Sequence, residues 1–386
     1  MQMRILFISK STLDRRYGAA KLLVELAESL EAQGAECTLV DPPALGCDLS
    51  GLAAATGAYL REEAEGFDVV EYDYKHLRVK DLEQVRQRCG RSAKAPLFVA
   101  RCQLWRGHLL DVPPPPLPGV RAKIGRLMKA PKRTHRRRAR VERDLLTMAA
   151  SDLVLVSNED DYRELTSRHG LDSDRVAVVT PGFDKAVAEA LGRVALGPME
   201  EPPIIAFIGT FDERKGGGDF PALVDSLAHL VPGVRFRLLG TRGMLQTKEA
   251  VLQRFPRQQR KRIEVVPSYD PEALPSLLAG CAAGVFPSYA EGFGYGVLEM
   301  LAAGLPVVAY DRPGPPVMLS KEFLVPVGRP DLLASTLASL LADGRRLAQG
   351  QAAARARVQQ FNWERAANLT LGAYQEAIDR RISVIA

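Results

Sequence analysis

The fold is decided by residues 287–308, which read PSYAEGFGYGVLEMLAAGLPVV. An apolar run at 282–286 precedes this stretch, and residues 297–303 have the composition of a helix that stops at Gly304. The stretch therefore predicts a strand, a glycine-rich loop, a helix and a further strand at 307–310. A loop of this kind exposes backbone N–H groups at the positive end of a helix, where a phosphate group binds readily.

Two carboxylates bracket the loop, because Glu291 precedes its glycines and Glu299 lies about one turn into the helix. A phosphate on the loop amides, together with ligand hydroxyls on the carboxylates, indicates a sugar nucleotide. The alternative interpretation is a solvated glutamate, an ordinary loop and a core helix. The glutamate spacing, the three loop glycines and the lead-in Pro287-Ser288 occur together, which favours the binding site.

This stretch resembles the Glu-x7-Glu signature of the retaining glycosyltransferases of family 4, the glycosyltransferase group 1 type. The resemblance implies the α/β fold called GT-B, in which two Rossmann-like doubly wound parallel-sheet domains face a cleft. It also implies transfer of a sugar from a nucleoside-diphosphate sugar (a UDP- or GDP-sugar) to a hydroxyl of a glycan, lipid-linked or small-molecule acceptor. The anomeric configuration would be retained, the departing phosphate would take the acceptor proton, and neither cofactor nor metal is expected.

Length and composition agree with a two-domain soluble protein. The chain has 386 residues, of which 46% are hydrophobic and 25% are charged. No apolar stretch approaches the roughly 20 residues that span a bilayer, and the N-terminus runs into an apolar strand without a signal-peptide pattern. A cytoplasmic protein is expected, with peripheral contact to the inner membrane face as a further prediction. Scattered cysteines predict free thiols rather than disulfides or zinc ligands; they are Cys37, Cys47, Cys89, Cys102 and Cys281.

Short apolar runs alternate with helical segments along the chain, which predicts doubly wound parallel sheets that bind ligands at the carboxyl ends of their strands. The runs lie at 4–8, 37–40, 68–72, 97–100, 153–156, 176–179, 204–208, 234–239, 263–266, 282–286, 307–310 and 325–327. With the resemblance, we predict an acceptor-side domain at 1–184, a linker at 185–203 and a donor-binding domain at 204–361. A terminal helix at 362–386 is expected to pack back on the first domain.

Two strand ends of the first domain carry candidate site residues. Gly18 opens the helix after the strand at 4–8, and the resemblance implies that it contacts the donor phosphate. After the strand at 97–100, relatives often carry a histidine near the reacting sugar, but this chain has Gln103. His108 lies five residues further on, and it either reaches the site or is an exposed loop histidine. Gln103 and His108 are candidate catalytic residues.

In the second domain, the strand at 204–208 ends in Gly209-Thr210, and Arg214 and Lys215 follow in the same loop. A guanidinium and an ammonium are complementary phosphate partners, so two cations at a strand end indicate a phosphate site. The alternative is an exposed basic turn. The resemblance assigns the donor diphosphate to Arg214 and Lys215, and the nucleobase to the backbone at Pro267-Ser268.

The resemblance also gives roles to the motif carboxylates: Glu291 would bind sugar hydroxyls near the reacting carbon, and Glu299 would bind the ribose hydroxyls. Arg214, Lys215 and Glu291 are the catalytic candidates of this domain. The predicted donor site comprises Gly18, Gly209, Thr210, Arg214, Lys215, Pro267, Ser268, Glu291, Gly292, Phe293, Gly294, Val297 and Glu299.

A strongly basic run follows the four prolines at 113–116. Between Arg121 and Arg143 there are eleven Lys or Arg residues against one acid, Glu142. The run predicts a surface for an anionic acceptor or an anionic membrane, since each Lys or Arg near such a membrane contributes ~1 kcal/mol. The alternative is a solvated helix face. The residues assigned to this patch are Arg133, Arg136, Arg137, Arg138, Arg140 and Arg143.

Three other functions stay open. A sugar-nucleotide epimerase or phosphorylase would use the same architecture, and a non-catalytic relative that binds sugar nucleotide or membrane would fit Gln103. A nucleic-acid binder would use the basic run, but no recognisable nucleic-acid module accompanies it, so it ranks lower. Metal-dependent transferases of the other glycosyltransferase fold use Asp-x-Asp at a strand end. The match here, Asp172-Ser173-Asp174, is interpreted as a turn, and activity in the presence of a chelator is expected.

Overall fold

The computed structural model describes residues 2–13, 18–90, 95–114, 120–195 and 201–385, apart from the side chains at 18–19, 120–133 and 384–385. The chain divides into two compact units, each assembled from separate segments. Unit 1 comprises Met1–Trp105, Pro131–Gly182 and Phe361–Ala386, and unit 2 comprises Arg106–Ala130 and Phe183–Gln360.

Unit 1 is built on a parallel sheet with the strand order β2-β1-β3-β4-β5-β6. The strands are β1 Arg4–Ile8, β2 Glu36–Val40, β3 Val69–Asp73, β4 Leu97–Cys102, β5 Leu153–Val156 and β6 Val176–Val178. Each coincides with an apolar run predicted to form a strand. Because β2 lies on one side of β1 and β3 on the other, the switch point of this sheet is the pair β1 and β3, which is where open α/β sheets bind ligands.

Helices cover the sheets of both units. They are α1 Gly18–Glu31, α2 Leu52–Glu63, α3 Val79–Cys89, α4 Val120–Ala150, α5 Glu159–Arg163, α6 Lys185–Gly192, α7 Phe220–Leu230, α8 Lys248–Leu252, α9 Leu274–Leu278, α10 Tyr295–Ala302, α11 Pro330–Ala342, α12 Gly344–Val358 and α13 Trp363–Ile385. Short 3-10 turns join several of them.

Successive residues of β1 enter two separate cores of unit 1. Ile5 and Phe7 are buried in a cluster with the apolar sides of α1 and α13, whereas Leu6 and Ile8 are buried in a second cluster with α2, α3 and α4. Alternate residues of a strand face opposite sides of its sheet, and both sides of a parallel sheet are covered by helices. This explains why the strands read as continuous apolar runs.

A buried polar network ties α13 to this sheet. Arg101 on β4 donates to Glu71 on β3, from Nε to Oε1 at 2.5 Å and from Nη2 to Oε2 at 2.9 Å. The phenol of Tyr374 on α13 donates to the same carboxylate at 2.5 Å. Burial alone would lower the pKa of Arg101, but its pairing with Glu71 outweighs burial and raises that pKa. A side chain from near the end of the chain therefore completes a buried ion pair inside the sheet.

Unit 2 contains a second parallel sheet with the order β12-β11-β10-β7-β8-β9. Its strands are β7 Ile204–Ile208, β8 Arg235–Leu239, β9 Ile263–Val266, β10 Cys281–Phe286, β11 Val307–Tyr310 and β12 Leu324–Val325. The prediction of two doubly wound parallel sheets is thus confirmed. The chain moves from β7 outward to β9 and then crosses to β10 on the other side of β7, so the switch point is the pair β7 and β10.

Two segments group differently from the predicted domains. Residues 106–130, predicted in the first domain, group with unit 2, where Asp111 pairs with Arg312 at 3.0 Å. Part of the predicted linker is helix α6, which packs against α9 and α10. The helix starts after Asp184, whose carboxylate accepts a hydrogen bond from the Val187 N–H at 2.8 Å. Linker residues 196–200 lie outside the described residues.

Replacing Tyr374 by Phe removes the phenol that bonds to the buried Glu71. We expect Tyr374→Phe to lower the free energy of unfolding by about 1–3 kcal/mol, because a buried charged acceptor loses a hydrogen bond. Urea titrations followed by tryptophan fluorescence measure the loss, since both Trp105 and Trp363 lie in unit 1. Tyr59→Phe is the matched control, because the Tyr59 phenol has no hydrogen-bond partner among the described residues. Equal losses in the two variants would contradict the assigned role.

Candidate functional site

The candidate site of unit 2 lies at the switch point of its sheet. β7 runs into the loop at 209–219, and β10 runs into the loop at 287–294. The two strands are neighbours although the chain connects them through β8 and β9, so the loops meet at one edge of the sheet. A backbone hydrogen bond joins the loops, from the Tyr289 N–H to the Arg214 carbonyl oxygen at 2.8 Å.

The loop after β7 is shaped by a glycine and an aspartate. Gly216 has a φ of +78°, and a Cβ atom there would overlap the carbonyl oxygen of Pro287, so this position requires glycine. Asp212 accepts hydrogen bonds from the Lys215 N–H at 3.1 Å and from the Thr210 hydroxyl at 2.7 Å. The predicted donor-site residue Thr210 is therefore already bonded within the loop. The N–H of its neighbour Gly209 is likewise bonded to a backbone carbonyl, that of Leu239 on β8.

The loops bring two cations onto one carboxylate. Glu291 Oε1 accepts hydrogen bonds from Arg214 Nη1 at 3.1 Å and from the Ser288 hydroxyl at 2.7 Å, and the Lys215 ammonium contacts the same oxygen. That ammonium also lies 4.9 Å from the ring centroid of Phe286. The Arg214 side chain is 30% exposed, compared with 13% for Lys215 and 9% for Glu291. The predicted catalytic candidates of unit 2 thus form one cluster, of which Arg214 is the most accessible member.

The charges in this cluster depend on one another. Burial alone would raise the pKa of Glu291, but attraction to Lys215 and Arg214 outweighs burial and holds that pKa below its ordinary value. Burial lowers the pKa of Lys215, and repulsion from Arg214 adds to this effect although the attraction of Glu291 opposes it. Asp212 also attracts Lys215. Arg214, the most exposed cation of the cluster, is the group that suits an anionic ligand.

Helix α10 begins against the end of β7. Gly294 precedes the helix with a φ of +105°, and a Cβ atom on Gly296 would overlap the carbonyl oxygen of Ile208. The first turn of a helix leaves backbone N–H groups without partners inside the helix, so this close approach places such groups beside the strand end. The predicted strand, glycine loop and helix are confirmed. The predicted donor-site residues of the loop and of the first turn of α10 are buried; they are Gly292, Phe293, Gly294 and Val297.

Glu299 lies on α10 close to Tyr269. The resemblance places the backbone of Tyr269, with that of Pro267 and Ser268, against the nucleobase, but it gives the Tyr269 side chain no role. Burial and then the charge of Glu299 raise the pKa of the Tyr269 phenol well above its ordinary value. Tyr269 directly follows the predicted base-binding residues Pro267 and Ser268, and the Pro267 carbonyl accepts a hydrogen bond from the Arg242 N–H at 2.9 Å. The structure therefore brings the predicted base segment and the predicted ribose carboxylate together. The sequence feature that marked Tyr269 was its position just after a strand end.

Asp219 is a second residue that sequence reasoning missed. Its Oδ2 accepts hydrogen bonds from the hydroxyls of Tyr289 at 2.8 Å and Tyr310 at 2.6 Å. Tyr289 lies two residues before Glu291, and its carbonyl oxygen accepts from Arg312 Nε at 2.9 Å. Asp219 and Arg312 therefore fix the loop that carries Glu291. No motif marks either residue, because the contacts depend on how the sheet is ordered.

In unit 1, the predicted residue Gln103 lies beside two charged residues that sequence reasoning missed. Lys10 Nζ donates to Gln103 Oε1 at 2.8 Å and to Asp73 Oδ2 at 2.9 Å. The three residues stand at or just beyond the ends of β4, β1 and β3, so they meet at the switch point of this sheet. Gly18 starts α1 as predicted, but the loop before it, 14–17, lies outside the described residues.

His108 is not an exposed loop histidine, so that expectation was wrong. It lies in a 3-10 turn at Arg106–Leu110 and is 8% exposed. Trp105, which directly precedes the turn, is completely buried. His108 groups with unit 2, whereas Gln103 groups with unit 1.

The predicted basic surface is part of the 31-residue helix α4. Residues 134–138 are exposed on every side of the helix, whereas Val141, Asp144 and Met148 are buried. The side chain of Arg133 lies outside the described residues. The other arginines assigned to the patch all face solvent; they are Arg136, Arg137, Arg138, Arg140 and Arg143.

Several other features concern metals, thiols and membranes. Asp172 Oδ1 accepts from the Asp174 N–H at 3.1 Å, so the Asp-x-Asp match is a turn as predicted. Among the described residues, no group of three or more His, Cys, Asp or Glu is placed to hold a metal ion. The cysteines are free thiols. In the same part of the chain, no helix has both the length and the apolar character needed to cross a membrane.

The fold is that of the GT-B glycosyltransferases. A sucrose-phosphate synthase from Thermosynechococcus elongatus matches with a TM-score of 0.71 and 20% identity, over 98% of this chain and 100% of that one. Anabaena HepE in complex with UDP-glucose matches with a TM-score of 0.62 and 17% identity, over 99% of this chain and 100% of that one. At these sequence identities, the two matches show a shared fold and carry no statement about activity.

Sequence comparison gives two further similarities. Residues 191–357 match the model of the family described as glycosyl transferases group 1. A D-inositol 3-phosphate glycosyltransferase of Xylanimonas cellulosilytica is 32% identical over 249 residues, which cover 61% of this chain and 59% of that protein. The chain thus spans less than two thirds of the length of this curated relative. The Arg214–Lys215–Glu291 cluster and α10 lie inside the matched region.

Replacing Glu291 by Gln removes the charge that pairs with Lys215 and Arg214 while it keeps the size of the side chain. Because the pKa of Glu291 is lowered on folding, the carboxylate stabilises the fold above its ordinary pKa of 4.5, and this contribution is lost as the pH falls through the folded value. We expect Glu291→Gln to be about 2 kcal/mol less stable than the wild type at pH 7, with a difference that shrinks below pH 4.5. Urea titrations followed by circular dichroism, made at pH 7 and below pH 4.5, measure this difference in the free energy of unfolding and its change with pH.

Glu264→Gln is the matched control, since Glu264 pairs with Arg237 at 2.7 Å but is 49% exposed. An exposed pair contributes at most about 1 kcal/mol. A destabilisation by Glu291→Gln that stays constant from pH 7 to pH 3 would show that Glu291 acts through packing and not through its charge.

Proposed function

We propose that this protein transfers a sugar from a nucleoside-diphosphate sugar to an acceptor hydroxyl, with retention of anomeric configuration and without a metal ion. The observation that carries the proposal is the Arg214–Lys215–Glu291 cluster at the switch point of unit 2, inside the region that matches the group 1 glycosyltransferases. HepE, which shares the fold, has been solved with UDP and with UDP-glucose. A UDP-sugar is therefore the donor proposed ahead of a GDP-sugar.

The cluster supplies the charge that a departing diphosphate requires. Arg214 offers planar donors and Lys215 a point charge, and the first-turn amides of α10 add partial positive charge. Donors that are fixed before the reaction stabilise the charge that develops in the transition state. Arg214 and Lys215 would hold the diphosphate of the donor in this way.

Glu291 would orient the transferred sugar. Its Oε1 takes all the contacts that the structure records for this carboxylate within the described residues, which leaves Oε2 to accept hydrogen bonds from sugar hydroxyls. The lowered pKa makes Glu291 a poor proton acceptor. In the proposed mechanism the proton of the acceptor hydroxyl therefore moves to an oxygen of the departing phosphate as the new glycosidic bond forms.

The nucleoside would lie along the neighbouring strand end. Glu299 would accept hydrogen bonds from the ribose hydroxyls, and the backbone at Pro267 and Ser268 would face the base. Tyr269 keeps its proton because its pKa is raised, so it would remain a hydrogen-bond donor next to Glu299. These roles rest on the family resemblance together with the closeness of Tyr269 to Glu299.

The acceptor is proposed from the relatives and from chemistry. The relative from Xylanimonas cellulosilytica is named for D-inositol 3-phosphate, so inositol phosphates are the first compounds to test. Glycans and lipid-linked sugars follow, since the family uses hydroxyl acceptors of several kinds.

A transfer assay with UDP-glucose, UDP-N-acetylglucosamine and GDP-mannose tests the proposal, with D-inositol 3-phosphate and sugar acceptors in the presence of EDTA. We expect nucleotide release and a product whose anomeric configuration, measured by nuclear magnetic resonance, equals that of the donor. An inverted product contradicts retention, and activity that EDTA abolishes and Mg²⁺ restores contradicts metal independence. The same spectra detect an epimerised nucleotide sugar or a sugar phosphate, the products of an epimerase or a phosphorylase.

Glu299→Ala tests the assignment of the ribose. We expect its kcat/KM for the donor to fall roughly ten- to a hundredfold, because the loss of a charge-assisted hydrogen bond costs ~1.5–3 kcal/mol. Glu322→Ala is the matched control, since Glu322 pairs with Arg346 at 2.9 Å on the surface of the same unit. Donor binding and turnover that are unchanged in Glu299→Ala would remove Glu299 from the site.

One observation favours a second candidate function. Gln103 stands where relatives often carry a histidine, and its amide oxygen is already bonded to Lys10. A non-catalytic protein that binds sugar nucleotides would tolerate this replacement. Tight binding of UDP-glucose with neither transfer nor hydrolysis would support that function.

We further propose that α4 docks on an anionic phospholipid surface. The exposed arginines at 136–143 have one acidic residue among them, Glu142, and Leu146 at 62% exposure follows on the same helix. Each arginine near such a surface contributes ~1 kcal/mol, so five of them suffice for reversible docking. Insertion of Leu146 into the lipid would add apolar contact.

Vesicle sedimentation tests this docking. We expect the protein to bind vesicles that contain phosphatidylserine but not neutral phosphatidylcholine vesicles, with binding that weakens as salt rises. Arg137→Ala/Arg140→Ala should weaken binding roughly 30-fold, because two contributions of ~1 kcal/mol are lost. Arg163→Ala/Arg168→Ala, at exposed positions on the same unit, is the control. Binding to nucleic acid or to an anionic acceptor without binding to vesicles would assign the helix to that partner instead.

A further inference from the structure

The switch point of unit 1 contains a small polar cavity. It lies at the carboxyl ends of β1, β3 and β4, and its volume of ≈ 20 Å³ has room for one oxygen atom of a hydroxyl or a water. Its lining includes Lys10, Asp73 and Gln103 together with Glu71 and Arg101. No role in the proposed donor site uses Lys10 or Asp73.

The contact with Lys10 fixes the orientation of the Gln103 amide. Lys10 Nζ lies 2.8 Å from one terminal atom of Gln103. An ammonium group can only donate, so the atom that faces it is the amide oxygen, and the amide nitrogen points away from Lys10. Within the described residues this nitrogen has no protein partner. Gln103 therefore offers two N–H donors to a ligand, while Lys10 already occupies one of the two lone pairs of the amide oxygen. A neutral histidine ring, by contrast, has one N–H donor and one acceptor nitrogen.

Asp73 keeps Lys10 in place and does not compete for the ligand. Its Oδ2 accepts from Lys10 Nζ at 2.9 Å and its Oδ1 from the Lys75 N–H at 3.0 Å. Burial alone would raise the pKa of Asp73, but attraction to Lys10 and Lys75 holds it well below its ordinary value. Asp73 therefore stays ionised with both oxygens bonded. Lys10 has three protons and uses two of them, on Asp73 and Gln103.

The charged residues that line the cavity are paired: Lys10 faces Asp73, and Arg101 faces Glu71, within hydrogen-bonding distance. Lys75, which is not part of the lining, also attracts Asp73. Glu71 is further bonded to Tyr374. Lys10 and the amide nitrogen of Gln103 therefore still have N–H groups that can donate to a ligand. These groups surround a space for one oxygen atom. A neutral hydroxyl fits this description, whereas a phosphate brings more oxygens than the space holds.

We propose that this cavity binds one hydroxyl of a polyol or sugar acceptor, through hydrogen bonds donated by Gln103 and Lys10. Gln103 is the residue that selects the hydroxyl, and Lys10 also positions the Gln103 amide. The inference rests on the proposed transfer function and names the chemistry of its acceptor side. No proton leaves the acceptor at this point, since neither donor can take one up.

Gln103→Glu separates ligand contact from structural support. The carboxylate keeps its bond to Lys10, with charge assistance, but it has no N–H to donate. Gln84→Glu is the matched control, because Gln84 Oε1 also accepts from a cation, Arg61 Nη1 at 3.2 Å, on the surface of the same unit. Should Gln103→Glu melt well below the wild type, Gln103→Met, which is uncharged and of similar size, replaces it with the same expectation.

The assay follows UDP release from UDP-glucose with glycerol, myo-inositol, glucose or N-acetylglucosamine as probe acceptor. For every compound that accelerates release by the wild type, we expect kcat/KM for that compound to fall at least about tenfold in Gln103→Glu. The Kd for UDP, measured by calorimetry, and the melting temperature should match the wild type. Gln84→Glu should change none of these quantities.

If kcat/KM for the acceptor is equal in the wild type and in Gln103→Glu, the proposal is wrong. It is also wrong if kcat/KM for the acceptor falls only because Gln103→Glu binds UDP more weakly. If none of the four compounds accelerates UDP release, neutral hydroxyls are the wrong ligand class, and the inference falls while hydrolysis of UDP-glucose would still support the transfer function. A wild-type protein that binds no UDP overturns the transfer function first and this inference with it.

Discussion

The structure of unit 2 depends on keeping one buried carboxylate charged. A buried carboxylate without an ionic partner strongly destabilises a fold. The partners of Glu291 are Arg214 and Lys215, which lie on a loop far away in the chain. That loop follows β7, so the pairing exists because the chain places β10 next to β7 after building two strands on the other side. Gly216 and Gly296 permit the close approach that the pairing needs. The sheet order, the glycines and the charge cluster are thus parts of one arrangement.

The two units treat charge differently at equivalent places. At the switch point of unit 2, Arg214 and Lys215 share the Glu291 carboxylate, and the guanidinium of Arg214 is the more exposed cation. At the switch point of unit 1, Lys10 is matched by Asp73 and Arg101 by Glu71, so only hydrogen-bond donors remain. Similar strand-end geometry in the two units therefore carries two different arrangements of cations and carboxylates.

Much of this could be predicted from sequence, for physical reasons. Strands covered on both sides must be apolar throughout, so every strand was visible as a run. The candidate donor site could be predicted because Glu291 and Glu299 lie in one short motif, and Arg214 and Lys215 follow one strand end. Asp219 was missed, because its contacts reach partners 70 and 91 residues away, and Lys10 was missed because it reaches Gln103 over 93 residues. Such contacts exist only once the order of the strands is known. The sequence also left open whether His108 is exposed, since a polar residue after a strand end gives no sign of the burial that the structure shows.

The interleaving of the two units has a consequence for synthesis on the ribosome. One segment of unit 1, Phe361–Ala386, follows all the residues of unit 2 in the sequence. While the chain emerges, the side of the first sheet that α13 covers lacks its partner, and the Glu71–Arg101 pair lacks Tyr374. Domains usually fold in the order in which they are made. Here the unit that starts first is completed last, after its neighbour has all of its residues.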